Sequence, residues 1–218
     1  MRYQHQIITF FALFVFGAPL SLADESDTAA IENVFESYRS ALVSRDGAAA
    51  RGFVSASTID YYGFLREIAL NGEPVEISQS TLIDRMSVYR IRVEWDAAEL
   101  SNLSAADVFV YAVDDGWVGS NLGALDIGGV RVFGDSATSV VVVNGQPQQW
   151  GFAFHRENGE WRIDLTSLLN VFNAAMIGQL DQAEMTETEF TDYFLRSVGY
   201  AAGFDDAIRM PLDHDVAN

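Results

Sequence analysis

The sequence contains no cysteine and no lysine. Without cysteine the chain has no disulfide bond, no thiol nucleophile, no iron–sulfur ligation and no thiolate zinc site. Without lysine it cannot form a Schiff base. All 13 basic residues are arginines, and 31 acidic residues oppose them, so the net charge is −18. We therefore expect no nucleic-acid partner, because a phosphate backbone binds a basic surface, and binding to anionic lipid headgroups is equally disfavoured.

Histidine is scarce, and this limits metal binding and acid–base catalysis. The chain has 3 histidines, and only His155 and His214 lie beyond the N-terminal segment. Two distant histidines without cysteine give no metal-ligand spacing, and the acidic pairs, such as Asp114-Asp115, are typical of solvated turns. Gly128-Gly129 lacks the strand-to-helix context of a phosphate loop, and no Gly-x-Ser-x-Gly motif is present. We expect no metal and no cofactor.

Long apolar runs are also absent, apart from one at the N-terminus. Arg2 precedes an apolar stretch from Ile7 to Gly17, and the small residues Ser21-Leu22-Ala23 follow it. This pattern predicts a secretory signal peptide over 1–23, because the run is too short to span a membrane. An uncleaved anchor is the alternative. We expect an exported protein, periplasmic or extracellular, with no membrane span in the mature chain.

The rest of the chain predicts one α+β domain. An acidic linker covers 24–28, the domain covers 29–210, and a loose polar tail covers 211–218. Apolar residues recur at helical spacing through most of the first half, whereas alternating patterns predict antiparallel strands after Gly116. The stretch from Val88 to Trp95 fits either a helix or a strand. Helical spacing returns after Thr166, and Thr186 and Glu189 form a predicted capping box.

The segment WGFAFHRENGEWRIDL, Trp150 to Leu165, predicts a hairpin with a two-residue turn at Asn158-Gly159. This turn fixes the register and places directly opposite residues on one face. The predicted pairs are Glu157 with Glu160, Arg156 with Trp161, Phe154 with Ile163, and Phe152 with Leu165. The apolar face should be buried against helices. The outer face should carry Ala153, His155, Arg162 and Asp164.

Together with the opening helix IENVFESYRSALVSRDG, the hairpin sequence FHRENGEWRIDL resembles the nuclear-transport-factor-2-like (SnoaL-like, cystatin-like cone) superfamily. The resemblance implies a cone-shaped fold, in which a curved antiparallel sheet wraps around helices and often encloses a pocket. Extra helices in the middle and at the C-terminus would extend this fold. The catalytic histidine pairs and Asp–Arg–Asp sets of some members have no clear counterparts here.

Three functional hypotheses follow. The favoured one is a binding module that holds a small, mostly apolar ligand inside the cone, or that keeps a filled core and acts through its surface. The candidates to line a pocket are aromatic residues, which would otherwise fill the core: Tyr61, Tyr62, Trp117, Phe152, Phe154 and Trp161. The second is an isomerase-, cyclase- or hydratase-type enzyme that uses a pocket tyrosine and a carboxylate. The third is a homodimer formed through the outer sheet face, with His155, Arg162 and Asp164 at the contact.

Overall fold

The computed structural model describes residues 22–118 and 125–213. The α-helices are α1 (Leu22–Val43), α2 (Gly47–Arg51), α3 (Ala56–Asn71), α4 (Pro74–Gln79), α5 (Leu82–Glu94), α6 (Ala97–Ser101), α7 (Ala105–Asp114), α8 (Leu169–Gln182) and α9 (Glu187–Ser197). The strands are β1 (Leu125–Phe133), β2 (Ser136–Val143), β3 (Gln146–Pro147), β4 (Ala153–Glu157) and β5 (Glu160–Asp164). Short 3₁₀ helices cover Leu165–Leu168 and Asp206–Arg209. The predicted α+β class is confirmed.

The strands form one open, curved antiparallel sheet in the order β1-β2-β4-β5, and the short strand β3 pairs with β2. The ladder between β1 and β2 shifts register between Gly128 and Arg131. Gly129 has a φ of 57° at this shift, a conformation that glycine adopts without strain. Such a bulge bends the strand, which contributes to the curvature of the sheet.

The predicted turn of the β4–β5 hairpin is confirmed. Asn158 and Gly159 both have positive φ, 52° and 85°, as a type I′ turn requires. Three predicted pairs are present: Glu157 with Glu160, Arg156 with Trp161, and Phe154 with Ile163. The predicted pair Phe152 with Leu165 is not, because β5 ends at Asp164. The Asp164 carboxylate accepts hydrogen bonds from the Thr166 backbone and hydroxyl, and these bonds start the 3₁₀ helix instead.

The inner face of the sheet packs on α1, α2 and α7. We call this apolar core the sheet cluster; its buried members include Phe35, Tyr38, Phe109, Val141, Phe152, Phe154, Trp161 and Ile163. Phe35 and Phe152 form a tilted aromatic pair with ring centres 5.3 Å apart. Burial of each such side chain contributes on the order of 2 kcal/mol to folding.

A second core lies among the helices. We call it the helical cluster; its buried members include Leu65, Ile77, Met86, Tyr89, Leu100, Val108, Phe190, Leu195 and Ile208. Tyr62 of α3 packs against both clusters. The ambiguous stretch from Val88 to Trp95 is helical up to Glu94, because its apolar side chains face this cluster.

Two predicted boundaries differ from the structure. Residues 24–28 belong to α1 rather than to a linker, and Asp27 pairs with Arg156 across the fold. In the predicted tail, the backbone amides of Leu212 and Asp213 donate to the carbonyls of Ala69 and Leu70. Both contacts join distant parts of the chain, so local pattern does not show them. The predicted signal peptide lies outside the described residues except at its last two positions. His214 also lies outside them. Within 22–118 and 125–213, no helix combines the length and apolar character needed to cross a membrane.

Candidate functional site

Three of the six predicted pocket residues lie in the sheet cluster. Phe152, Phe154 and Trp161 are at most 3% exposed and are packed by neighbouring side chains. Trp161 also donates its indole N–H to the Asp27 carboxylate at 3.2 Å. These side chains hold the sheet against α1, which is the role of core residues.

Tyr61 and Tyr62 lie on α3 and point to different surroundings. The hydroxyl of Tyr61 donates to the Asp84 carboxylate at 2.7 Å, and the ring of Tyr62 meets Phe109 edge-on with centres 5.2 Å apart. Burial raises the pKa of both tyrosines well above the usual value, so both hydroxyls stay protonated at neutral pH. Asp60, which precedes Tyr61 on α3, forms no hydrogen bond with either hydroxyl within the described residues.

Trp117 is part of a half-buried aromatic group with Trp95 and Tyr111. The ring centres lie 4.7 to 5.7 Å apart. The Arg90 guanidinium lies 4.3 Å from the centre of the Trp117 ring, and Asp115 accepts hydrogen bonds from both side chains. The rings are in direct contact with one another, so this group stabilises the end of α7 and leaves no gap between the rings for a ligand.

The predicted outer-face residues interact within the chain. His155 Nε2 lies 3.3 Å from Asp164 Oδ2, and its Nδ1 lies 3.5 Å from the Ser136 hydroxyl. Arg162 donates to the Gly52 carbonyl and to Glu160. The three predicted residues are therefore on neighbouring strands as expected, and each has partners in its own chain.

A cleft of about 260 Å³ lies between α4, α5, α9 and the segment that ends in the second 3₁₀ helix. None of the six predicted pocket residues lines it. Its walls are formed by Pro74, Ser78, Arg85, Tyr89, Glu187, Thr188, Thr191, Phe204 and Arg209. The cleft combines two aromatic rings with hydroxyls and two guanidinium groups, so its lining is more polar than that of most small-molecule sites.

Arg85 fixes one wall of the cleft. Its Nε and Nη2 donate to the two carboxylate oxygens of Glu187 at 2.7 and 2.8 Å, and its Nη1 donates to the Ser80 carbonyl. This paired geometry joins α5 to α9 and uses most of the hydrogen-bonding capacity of Arg85. The charge of Arg85 is balanced by Glu187.

Arg209 occupies the opposite wall and is less completely paired. Its guanidinium lies 4.8 Å from the centre of the Phe204 ring, and Nη2 is 3.4 Å from the Thr188 hydroxyl. Nε lies 3.4 Å from the carboxylate of Asp206, a side chain that is 97% exposed, but in the described part of the chain this buried Nε has no hydrogen-bond partner. Within the described residues Nη1 forms no hydrogen bond and Nη2 forms one long one, so these two atoms keep hydrogen-bonding capacity beside the cleft.

Tyr89 forms the floor of the cleft. Its ring lies against Phe204, with centres 5.6 Å apart and planes inclined at 60°. Burial raises the pKa of Tyr89, so its hydroxyl stays protonated at neutral pH. Across residues 22–118 and 125–213, no side chain or backbone group forms a hydrogen bond with this hydroxyl.

Arg92 lies behind the floor and holds the C-terminal wall in place. This buried guanidinium donates to the carbonyls of Ile68, Ala69 and Gly72 at the end of α3, and to those of Ile208 and Arg209. No salt bridge from Arg92 to a carboxylate occurs among the residues described. Burial lowers the pKa of Arg92 to about 10, but the group remains charged at neutral pH. It thus adds positive charge beneath the cleft.

Sequence reasoning missed this cleft because its residues come from four separate segments. Arg85, Arg92 and Arg209 are scattered arginines in the sequence, and nothing in local spacing joins them. The scarcity of basic residues was the one feature of the sequence that pointed to these arginines, because each is a rare positive charge in an acidic chain.

No family model matches the chain, and the comparisons with curated proteins and with solved structures gave no match. The class that the structure defines is an α+β protein with a curved antiparallel sheet. Membership of the nuclear-transport-factor-2-like superfamily stays a prediction from the residues quoted above.

Proposed function

We propose that this protein is an exported binding protein for a small organic molecule, and that the ligand occupies the cleft between α4, α5 and α9. The observation that carries the proposal is the cleft itself: about 260 Å³ of space with Tyr89 and Arg209 on its walls. A cavity of this size accommodates a ligand of about ten to fifteen non-hydrogen atoms at ordinary packing density.

Binding of a small molecule is the function that the sequence predicts, but the proposed site is the cleft and not the interior of the cone. Of the residues predicted to line the cone interior, Phe152, Phe154 and Trp161 are packed in the sheet cluster, and none of the six lines the cleft, which lies beside the helical cluster. Export is the part of the proposal that rests on sequence alone, on the apolar run from Ile7 to Gly17.

A fragment screen by protein-observed NMR tests the proposal. We expect at least one fragment to shift the backbone amide signals of residues that line the cleft. Ser78 is an exposed residue on its rim, so Ser78→Trp should fill the space without disturbing the core and should abolish those shifts.

The matched control is Ser101→Trp. Ser101 is also exposed near the end of a short helix, α6, and its hydroxyl also bonds a carbonyl in its own helix. We expect this variant to bind fragments as the wild type does. Fragments that bind Ser78→Trp as well as wild type would place the site elsewhere and overturn the proposal.

The homodimer stays a prediction. Arg162 already donates to Gly52 and Glu160 in its own chain, so a dimer that uses this face must share or replace these contacts. Sedimentation velocity of the wild type and of Arg162→Ala checks it, since a dimer through the outer face should dissociate in the variant.

A further inference from the structure

The balance of charge at the cleft is the reverse of that of the whole protein. The chain carries 31 acidic and 13 basic residues. The walls of the cleft carry two arginines and one carboxylate, Glu187; Asp206 pairs with Arg209 from outside the walls, and the additional positive charge is that of Arg92 behind the floor. A cationic cleft in a protein of net charge −18 attracts an anion that the rest of the surface repels.

The paired contacts show which cation is free to meet a ligand. Both oxygens of Glu187 are engaged by Arg85. Arg92 is fully occupied by backbone carbonyls and is 7% exposed. Arg209 is the remaining arginine: its side chain is 42% exposed, and its guanidinium has a 3.4 Å ion pair with the exposed Asp206, one long contact to Thr188 and the ring of Phe204 as neighbours.

Tyr89 and Phe204 add the other half of the recognition surface. The Tyr89 hydroxyl is a protonated donor in the cleft, and the two aromatic rings form an apolar wall beside Arg209. One available guanidinium and one hydroxyl suit a singly charged carboxylate, whereas a doubly charged phosphate demands more cations to offset its loss of water. The rings suit an apolar body attached to that carboxylate.

We propose that the ligand of this cleft is a small organic monocarboxylate, whose carboxylate pairs with Arg209 and accepts a hydrogen bond from Tyr89 while its apolar part lies against Phe204. This inference rests on the proposed function. Arg92 is a positioning residue here, because its bonds to the carbonyls of Ile208 and Arg209 fix the backbone that carries the guanidinium.

The test compares benzoate with benzamide, two probes of the same shape that differ in charge. Binding is measured by titration of the backbone amide signals of the cleft residues in 50 mM and 500 mM NaCl. These concentrations lie below and above the salt concentration at which the Debye length is about 10 Å, so a surface charge is screened much more strongly in the second. We expect benzoate to bind about tenfold more tightly than benzamide, the ratio that one charge-assisted hydrogen bond of ordinary strength gives. The difference should shrink at high salt.

Arg209→Gln should bring the affinity for benzoate down to that for benzamide and leave benzamide unchanged. Arg209→Lys should keep part of the difference in affinity between benzoate and benzamide, because lysine carries the positive charge without the planar geometry of the guanidinium. Arg131→Gln is the control, since Arg131 is an exposed arginine on β1 and its loss changes the net charge by the same amount.

The possible failures are distinct. Equal binding of both probes at the cleft would overturn the carboxylate inference and leave the binding function standing. Shifts with inorganic phosphate but not with benzoate would also overturn it, in favour of a different anion. If neither probe nor any fragment shifts the cleft signals, the proposed function itself fails.

Discussion

The guanidinium of Arg156 lies 4.4 Å from the centre of the Trp161 ring, and both side chains hydrogen bond the same carboxylate, that of Asp27. The strand pair β4–β5 is thereby attached to the first turns of α1. Arg156 and Trp161 lie directly opposite each other in the hairpin. The local turn therefore places side by side two partners for a carboxylate that is 129 and 134 residues away from them in sequence.

This contact predicts a pH dependence of stability. The hydrogen bond from Arg156, followed by that from Trp161, lowers the pKa of Asp27 below its usual value. A carboxyl with a lowered pKa in the folded state adds stability above its unfolded pKa of about 4, and this stability is lost as the pH falls through the folded pKa. We expect Asp27→Asn to be less stable than wild type at pH 6, with the gap closing towards pH 3.

Urea denaturation at several pH values measures this effect. Glu32→Gln is the control, because Glu32 is an exposed residue on the same helix with no ion pair among the described residues. If the free energies of unfolding of Asp27→Asn and wild type differ by the same amount at pH 3 and pH 6, the stability does not come from the ionised Asp27 carboxylate.

A second prediction concerns Arg92. Replacing it with alanine removes donors from five carbonyls at the junction of α3 and the C-terminal segment, and we expect a loss of about 3 kcal/mol in the free energy of unfolding. The amides of Leu212 and Asp213, which bond the end of α3, should exchange with solvent faster in hydrogen-exchange experiments.

Arg66→Ala is the matched comparison for Arg92. Arg66 also donates to two backbone carbonyls, those of Leu100 and Ser101, but it lies nearer the surface. We expect a smaller loss, about 1 kcal/mol, and unchanged exchange at Leu212 and Asp213. Equal protection of these amides in both variants would show that Arg92 does not hold the segment.

A third prediction uses Asp206, the exposed carboxylate beside Arg209. If the cleft binds a carboxylate at Arg209, Asp206 competes with it for the same guanidinium. Asp206→Asn should then strengthen benzoate binding by about twofold to fivefold, the effect of one weak surface ion pair, and leave benzamide unaffected. Isothermal titration calorimetry measures both, and a weakened benzoate affinity would contradict the competition.

A fourth prediction compares two glycines. A Cβ on Gly151 would lie 1.6 Å from the Ser139 carbonyl oxygen, whereas a Cβ on Gly178 of α8 meets nothing within 4 Å. Gly151→Ala should therefore force β2 and the start of β4 apart and cost at least 3 kcal/mol. Gly178→Ala should stabilise the protein by about 0.5–1 kcal/mol, because alanine favours the helix. Thermal unfolding of the two variants distinguishes the two effects.

The elements that sequence predicted well are those fixed by a few neighbouring residues. The turn at Asn158-Gly159 requires positive φ at both positions, and this alone sets the register down to Phe154 with Ile163. The predicted capping box of Thr186 and Glu189 is present, because it closes within one helical turn.

The elements that sequence did not predict depend on contacts over long separations. Asp27 belongs to a helix rather than a linker and is held by Arg156, and Tyr89 meets Phe204 in a cleft assembled from four segments. Aromatic residues in alternating strands have the same pattern whether they line a pocket or fill a core. Phe152, Phe154 and Trp161 are core residues by their burial, a property of the assembled fold.

The C-terminal wall of the cleft has a consequence for the order in which the protein becomes functional. Phe204 and Arg209 are synthesised after the sheet and most of both apolar clusters, and the backbone at Arg209 is held by Arg92, a residue translated more than a hundred positions earlier. The rest of the fold can assemble first, but the cleft has no C-terminal wall until this last segment is in place.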